Sequence, residues 1–419
     1  MILRSNFIIL KYNLCLTSKK FFVELGRKEK NQLLIVLCLF SAIGPLAVTM
    51  YMPGFRVIAD DFGVSASKVS LSLATYFAGL TIGHLFYGPF VDRFGRKKPM
   101  YIGLILYTVS TISCAFSPTV DWLIWSRFFL ALGGCGGVVI ARTIVRDFFD
   151  VKESAKFLSV LMLVMGLAPI IAPSIGGAIL FYFNWRFIFL SLILLIIFLL
   201  VGIYCFLPPL KEEDTSVKIN IVEIFKSYFM ILREPTFLTF GLVCSIAYAS
   251  LFGYITGSHI VYAHIFYFSE QQTSWAVGVN AVGLIIGNQL NHLLLKKYSI
   301  KRITTVALVF LFVIITVLLI GMESKIFDSL IFMVFMFVFI SLLGVLNPNT
   351  MALALSPFTN EAGRAAALLG SMQMGLSALV AAIVGFLLSA SVVPMLIFMA
   401  FFEFLALVIV GVYYLTRSQ

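Results

Sequence analysis

The sequence predicts an all-α integral membrane fold with twelve transmembrane helices in two six-helix bundles, on three observations. First, the 419 residues are 61% hydrophobic and only 12% charged, with a mean hydropathy of +1.05. A soluble domain is about 45–50% apolar and about 25% charged, so lipid must be the solvent for most of this surface. Second, twelve apolar runs recur along the chain, each near the ~20 residues that cross a hydrocarbon core. Third, the cations gather in alternate connections between those runs, as the positive-inside rule requires of a multi-pass protein.

The elements follow in order. Residues 1–30 hold Arg4, Lys11, Lys19, Lys20, Arg27, Lys28 and Lys30. Their apolar stretch, Phe7 to Leu10, is shorter than a signal-peptide core. A basic cytoplasmic extension touching anionic lipid is expected there. Six runs then cover 31–53, 68–91, 99–117, 121–146, 156–181 and 185–207, an N-terminal bundle over 31–207. Pro208 and Pro209, followed by Lys211, Glu212, Glu213 and Asp214, break the composition and open a cytoplasmic linker, 208–235. Within it Ile219, Val222, Phe225, Phe229 and Leu232 recur at helical spacing, which predicts an amphipathic helix on the membrane surface. Six more runs, 236–262, 272–295, 301–321, 327–347, 363–389 and 392–415, make a C-terminal bundle over 236–419.

With the N-terminus placed in the cytoplasm, 24 of the 30 Lys and Arg fall on that side. Arg56, Lys68, Arg186 and Lys325 fall outside, and Arg127 and Arg142 lie within the fourth run. Both termini are therefore expected in the cytoplasm. The same distribution removes a nucleic-acid reading of the +11 net charge, because the cations are spread along the chain and form no patch. The six Cys sit mostly inside apolar runs without paired spacing, as packing residues do. There is no Gly-x4-Gly-Lys-Ser/Thr phosphate loop, no Ser/His/Asp set and no metal-ligand cluster in the sequence. An enzyme, a cofactor and a bound metal are accordingly not expected.

Three motifs carry chemistry. The second run ends in Gly88-Pro89-Phe90-Val91-Asp92-Arg93-Phe94-Gly95-Arg96-Lys97-Lys98-Pro99. Asp92 stands at a helix end beside Arg93 and Arg96, where it can pair with a cation or a helix N-terminus. Gly88 permits close approach of a neighbouring helix, and Gly95 a positive-φ turn. The fifth run carries Gly166-Leu167-Ala168-Pro169-Ile170-Ile171-Ala172-Pro173-Ser174-Ile175-Gly176-Gly177. Prolines four apart predict a kink, and small residues predict tight packing. In the fourth run Arg127 follows Asp121 by six residues, about 9 Å into the helix at 1.5 Å per residue. A charge at that depth is expected to face an aqueous cavity. Its neighbours Gly133, Gly134, Gly136 and Gly137 read as a packing seam.

These stretches resemble the major facilitator superfamily. The Gly88–Pro99 segment is similar to its signature loop, which latches the cytoplasmic gate. The Gly166–Gly177 segment is similar to the Gly/Pro signature of its antiporters, and Trp185-Arg186-Phe187 follows as it often does there. Arg127 matches the arginine of the family's second motif, implied to serve substrate or proton coupling. Met50-Tyr51-Met52-Pro53, and the stretch from Asn347-Pro348-Asn349 to Gly370, further resemble the bicyclomycin/chloramphenicol-resistance branch of drug:proton antiporters. The resemblance covers roughly residues 40–390 and thins between 236 and 321. It departs at Thr49, where that branch usually carries a proton-coupling Asp.

The resemblance implies a secondary active transporter, multi-pass in the cell inner membrane and monomeric. It would export drugs or other small amphipathic molecules against protons by alternating access about a central cavity. An exporter or facilitator for one endogenous metabolite, such as a siderophore, is the alternative, and a non-transporting sensor on the same fold is a second. With Thr49 unable to titrate, His84 in the second run and Glu403 in the twelfth are the coupling candidates. Imidazole titrates near physiological pH. Glu403 stands among Phe401, Phe402 and Phe404, surroundings in which a carboxyl is costly to ionise and ready to accept a proton.

Overall fold

The computed structural model describes residues 26–149, 151–207, 221–358, 362–387 and 392–417. Most of the expected basic extension and the first part of the linker lie outside these residues. Fourteen α-helices and no strand occur among the described residues. In chain order they are α1 Arg27–Thr49, α2 Phe55–Phe62, α3 Ala66–Phe94, α4 Lys97–Ala115, α5 Val120–Phe148, α6 Val151–Tyr182 and α7 Arg186–Phe206. Then come α8 Ile221–Leu232, α9 Pro235–Ile260, α10 Glu270–Leu294, α11 Ile300–Glu323, α12 Ser329–Leu355, α13 Ala362–Leu387 and α14 Val393–Arg417.

Twelve of these helices have 19 residues or more. Nine candidate spans among the described residues are long and apolar enough to cross a membrane. Helix α4 carries Lys97, Lys98 and a run of Ser, Thr and Tyr, and α10 carries Gln271, Gln272, Asn280, Asn288 and Asn291. Those polar residues dilute hydropathy in helices that still pack inside the bundle.

Starts and stops follow from local chemistry. Ser65, Thr119, Ser269, Ser299 and Asp328 cap α3, α5, α10, α11 and α12 by accepting from the backbone N–H three residues on. The first apolar run does not end as one helix. Its helix stops at Thr49, and Met52-Pro53-Gly54 form a 3₁₀ turn that leads into the short amphipathic α2. Pro53 removes a donor, and Gly63 closes α2 at φ 61°. At its far end α9 loosens into a π-helical turn, Val261–Ile265.

Apolar side chains collect into two main cores. One gathers residues from Leu33 to Ile203 together with Ala381, the other residues from Val243 to Val410. The two sets of helices meet where α3 packs on α13 and α6 on α10. Helix α8 lies across one end of this seam. Its Tyr228 hydroxyl donates to the Leu85 carbonyl of α3, and its Ser227 hydroxyl accepts from Arg364 of α13. Val222, Phe225 and Phe229 are exposed on its other side, the apolar stripe a surface helix presents to lipid.

Candidate functional site

The fourth long helix, α5, is built to be surrounded. A side chain at Gly133 would strike the backbone of Gly103 and Tyr107 in α4. One at Gly136 would strike the Tyr87 ring of α3, and one at Gly137 the Phe40 carbonyl of α1. Three neighbours thus press on one glycine seam, α4 and α1 with their backbones and α3 with the Tyr87 ring. Helix α6 uses Gly176 the same way, against the Met50 carbonyl at the end of α1. Pro173 is buried and Gly177 half-buried, and the helix continues through the whole motif. The side-chain environments of Gly166 and Pro169 lie outside the described residues.

That seam carries Arg127 into the core of the first bundle, with 0% of it exposed. The guanidinium sits between the rings of Tyr51 and Tyr76, 4.5 and 4.4 Å from their centroids, with Phe189 at 6.0 Å. Nη1 donates to the Ala47 carbonyl at 2.8 Å. Nε and Nη2 are buried without an acceptor. No carboxylate among the described residues pairs with the charge. Each buried N–H without a partner costs about 1–3 kcal/mol, while a desolvated cation–π contact returns about 2 kcal/mol or more. The rings therefore offset much of the cost of burial, and the two idle donors remain. The sequence predicts an aqueous cavity around this charge; the structure encloses it in aromatic side chains instead. Tyr51 and Tyr76 are anchored in turn, the first by a 2.9 Å bond with Ser72, the second by donating to the Gly44 carbonyl.

His84 lies on α3 at the seam with α13. Its ring packs against Gly370, where a Cβ would meet Cδ2 at 2.8 Å. Nδ1 is 2.8 Å from the Leu80 carbonyl and 3.4 Å from Cys135 Sγ. Arg142 of α5 is within electrostatic reach of both His84 and Tyr248 of α9. The same seam pairs Gly88 with Ala367 and Gly375 with Thr81, so small residues let α3 and α13 run close along their length.

Glu403 lies elsewhere, between α14 and α9, also with 0% exposed. Oε1 accepts from the Ser250 hydroxyl at 3.0 Å, and Oε2 is buried without a donor. Phe401 and Phe404 do not enclose it, as their adjacency in sequence suggests; both point outward and are exposed. Helical geometry separates neighbours in sequence by about 100°, so Glu403 points inward, Phe402 packs partly on the second core, and Phe401 and Phe404 face outward. Arg127, His84 and Glu403 thus occupy three places, one inside each bundle and one at the seam between them.

The loop motif shows its backbone. Gly95 takes φ 69° and ψ −173°, a region essentially restricted to glycine. It ends α3, and α4 begins two residues later at Lys97. Arg96 Nη1 reaches the Val91 carbonyl at 3.4 Å. Arg93 is half-buried, and the Asp92 side chain lies outside the description.

Other intramembrane polar residues bind one another. Asn291 and Asn349 exchange amide bonds between α10 and α12. Asn280 donates to the hydroxyls of Tyr254 and Tyr262, and Gln373 to Cys244 Sγ. Sequence reasoning missed Tyr76, Ser250 and Tyr228. Each acquires its role from a helix far away in the chain, and no local spacing signals it.

Comparison with known proteins decides the family. The model of the Major Facilitator Superfamily matches residues 37–262, and an uncharacterised transporter of that type from Bacillus subtilis, YdgK, is 32% identical over 85% of this chain and 89% of its own. The chain belongs to the Major Facilitator Superfamily. Within the superfamily, a bicyclomycin resistance protein homolog from Haemophilus influenzae is 27% identical over 94% of this chain and 98% of its own. The multidrug resistance protein MdtL of Shewanella oneidensis is 29% identical over 84% and 88%. These relatives bear out the likeness to the drug-resistance branch. The D-xylose-proton symporter structure superposes with a TM-score of 0.70 at 13% identity, covering 91% of this chain and 97% of its own. At that identity the match speaks for the major facilitator fold alone.

Proposed function

We propose that this member of the superfamily is a proton-coupled exporter of small amphipathic molecules, drugs among them, working by alternating access. It would lie in the cell inner membrane as a monomer, with both termini in the cytoplasm. The observation that carries the reading is the seam between the two sets of helices. Glycine and alanine let α3 and α13 meet closely, and a titratable side chain, His84, stands on it against Gly370. Two bundles joined across such a face can rock as units, exposing either side in turn. The names of the bicyclomycin and multidrug resistance relatives supply the substrate class.

Coupling needs a group that gains and loses a proton as the bundles rock. Thr49 donates its hydroxyl to the Pro45 carbonyl and does not titrate. Glu403, bonded through one oxygen only, and His84, at the seam, take that role in this reading. A proton entering down ~100 mV releases about 2.3 kcal/mol, enough for roughly a fifty-fold substrate gradient at about 1.4 kcal/mol per decade.

The test is reconstitution into liposomes loaded with a pH-sensitive dye, with drugs added to trigger proton flux. Glu403→Gln or His84→Gln should abolish the flux while substrate binding survives. Wild-type protein that carries drug with no proton flux would make it a facilitator. Wild-type flux in both variants would move the coupling site elsewhere.

A further inference from the structure

The idle donors of Arg127 have a definite shape. Nη1, on the Cδ side of the guanidinium, is taken by the Ala47 carbonyl. The two nitrogens left over, Nε and Nη2, are the neighbouring pair on the opposite edge, whose N–H bonds run parallel. That edge is the fork which grips a carboxylate through two parallel bonds. Here the edge that remains is the bidentate one, on a residue with 0% exposed.

We infer that this fork is the receptor for a carboxylate carried by the transported molecule, so that the substrates include amphipathic organic acids with a flat apolar body. The inference deepens the export reading by naming a substrate class, and it rests on that reading only for the fate of the bound molecule. The surroundings fit a flat body. Tyr51, Tyr76 and Phe189 present ring faces around the guanidinium. None of these rings carries negative charge, so the acid would bring the missing counter-ion.

The walls also belong to moving parts. Tyr76 is followed by Phe77, whose ring lies 4.5 Å from that of Phe252 on α9 in the other bundle. Tyr51 precedes the Met52–Gly54 turn, which itself touches α9. Both rings are bonded within the first bundle, but each adjoins residues that touch α9, which couples the covering of the fork to the contact between the bundles. In this proposal the enclosed arrangement is the closed form of the site, and binding requires the two rings to part.

The experiment measures binding to the full-length purified protein in lipid nanodiscs. The probes are three carboxylate and carboxamide pairs: 4-phenylbenzoate, 1-naphthoate and cinnamate, each with its amide. At least one carboxylate should bind, with its amide tenfold weaker or more. Arg127→Lys keeps the charge and loses the fork, and it should weaken that carboxylate by tenfold or more while the amide is unaffected. Equal binding of acid and amide, no effect of Arg127→Lys, or no binding of any carboxylate would overturn the inference. Should the variant not fold, the wild type decides alone. The Nε–H resonance of Arg127 should move on addition of the carboxylate and stay still with the amide; an unmoved resonance overturns the inference. Binding needs no gradient, so a protein that binds the acid but shows no proton flux loses the export reading and keeps this one.

Discussion

Among the described residues each bundle buries one Arg or Glu at 0% exposure, and the two do so with opposite charge and opposite means. In the first, a cation is stacked between aromatic rings and donates once to a backbone carbonyl. In the second, Glu403 accepts once from a serine. A guanidinium spreads its charge over a plane and is weakly hydrated, so ring faces can replace much of its water. A carboxylate has no such substitute and needs donors, of which the second bundle provides one. Glu403 is therefore suited to exchanging a proton, and Arg127 to holding a permanent charge in place. Some of the other polar groups of the second bundle bond one another, as in the paired amides of Asn291 and Asn349, while Thr273 Oγ1, Asn280 Oδ1 and Asn347 Oδ1 are buried without a partner.

The largest effects should come where the halves are alike. Gly137 lies on the Phe40 carbonyl in the first bundle, and Gly287 on the Ser341 carbonyl in the second. In both, the neighbour is backbone and cannot rotate away. Gly137→Val and Gly287→Val should each destabilise by several kcal/mol, at or beyond the upper end of the ~1–3 kcal/mol typical of overpacking. Folded yield after detergent extraction, read by size-exclusion chromatography, should collapse for both. A normal yield for one alone would mean that the bundles do not depend equally on their glycine seams.

Next come the charges themselves. Arg127→Met fills the cage with a side chain of similar length and removes two idle donors. Replacing a buried charge by an apolar side chain is often neutral or stabilising, by about 1–4 kcal/mol. The thermal midpoint should hold or rise while transport is lost. Glu403→Gln retains an acceptor for Ser250 and should shift the midpoint little. If Arg127→Met instead unfolds the protein, the guanidinium is a structural clasp between α5 and α1, and the contrast between the bundles is one of packing alone.

How much of this was legible depended on the physical signal. The fifth helix-forming run was expected over 156–181 and the helix covers Val151–Tyr182; the tenth was expected over 327–347 and covers Ser329–Leu355. Hydropathy stops at polar residues even where the helix runs on, as at Asn349 and Thr350, which are buried beyond the expected end. The break after Thr49 was missed because Tyr51, Met52 and Pro53 are as apolar as the helix before them. The depth of Arg127 could be read from spacing, but its cage could not, since Tyr51, Tyr76 and Phe189 arrive from three other parts of the chain. The burial of Glu403 could be read from sequence, but not its surroundings: Phe401 and Phe404 are exposed, Phe402 packs partly on the second core, and its partner Ser250 lies on α9.

A smaller effect tests the loop that joins α3 to α4. Gly95→Val must adopt φ 69°, where a branched side chain costs about 1–3 kcal/mol. The protein should fold and reach the membrane, with export rate in liposomes reduced several-fold. Gly95→Ala should fall between the two. Wild-type export by Gly95→Val would leave the loop as a topology signal only.

The smallest effect is expected at an ion pair that joins helix ends in the first bundle. Asp61 of α2 accepts from Arg186 at 2.8 Å and from the Trp185 indole at 3.0 Å, fastening α2 to the start of α7. The matching region of the second bundle is held by rings instead, with Tyr262, Phe266 and Phe332 in mutual contact. The Asp61 side chain is 42% exposed and that of Arg186 33%, so water and salt screen their attraction, and such pairs contribute about 0–1 kcal/mol. The indole is different, because Trp185 is buried and its N–H has no second acceptor among the described residues. Asp61→Asn keeps an acceptor oxygen for the indole and should cost under about 1 kcal/mol, less still in high salt. Asp61→Ala strands the indole and should cost about 1–3 kcal/mol at any ionic strength. Thermal midpoints of both variants at low and high salt separate the two terms. If both show the same salt-dependent loss, charge and not the indole holds α2, and the two bundles differ more in electrostatics than in packing.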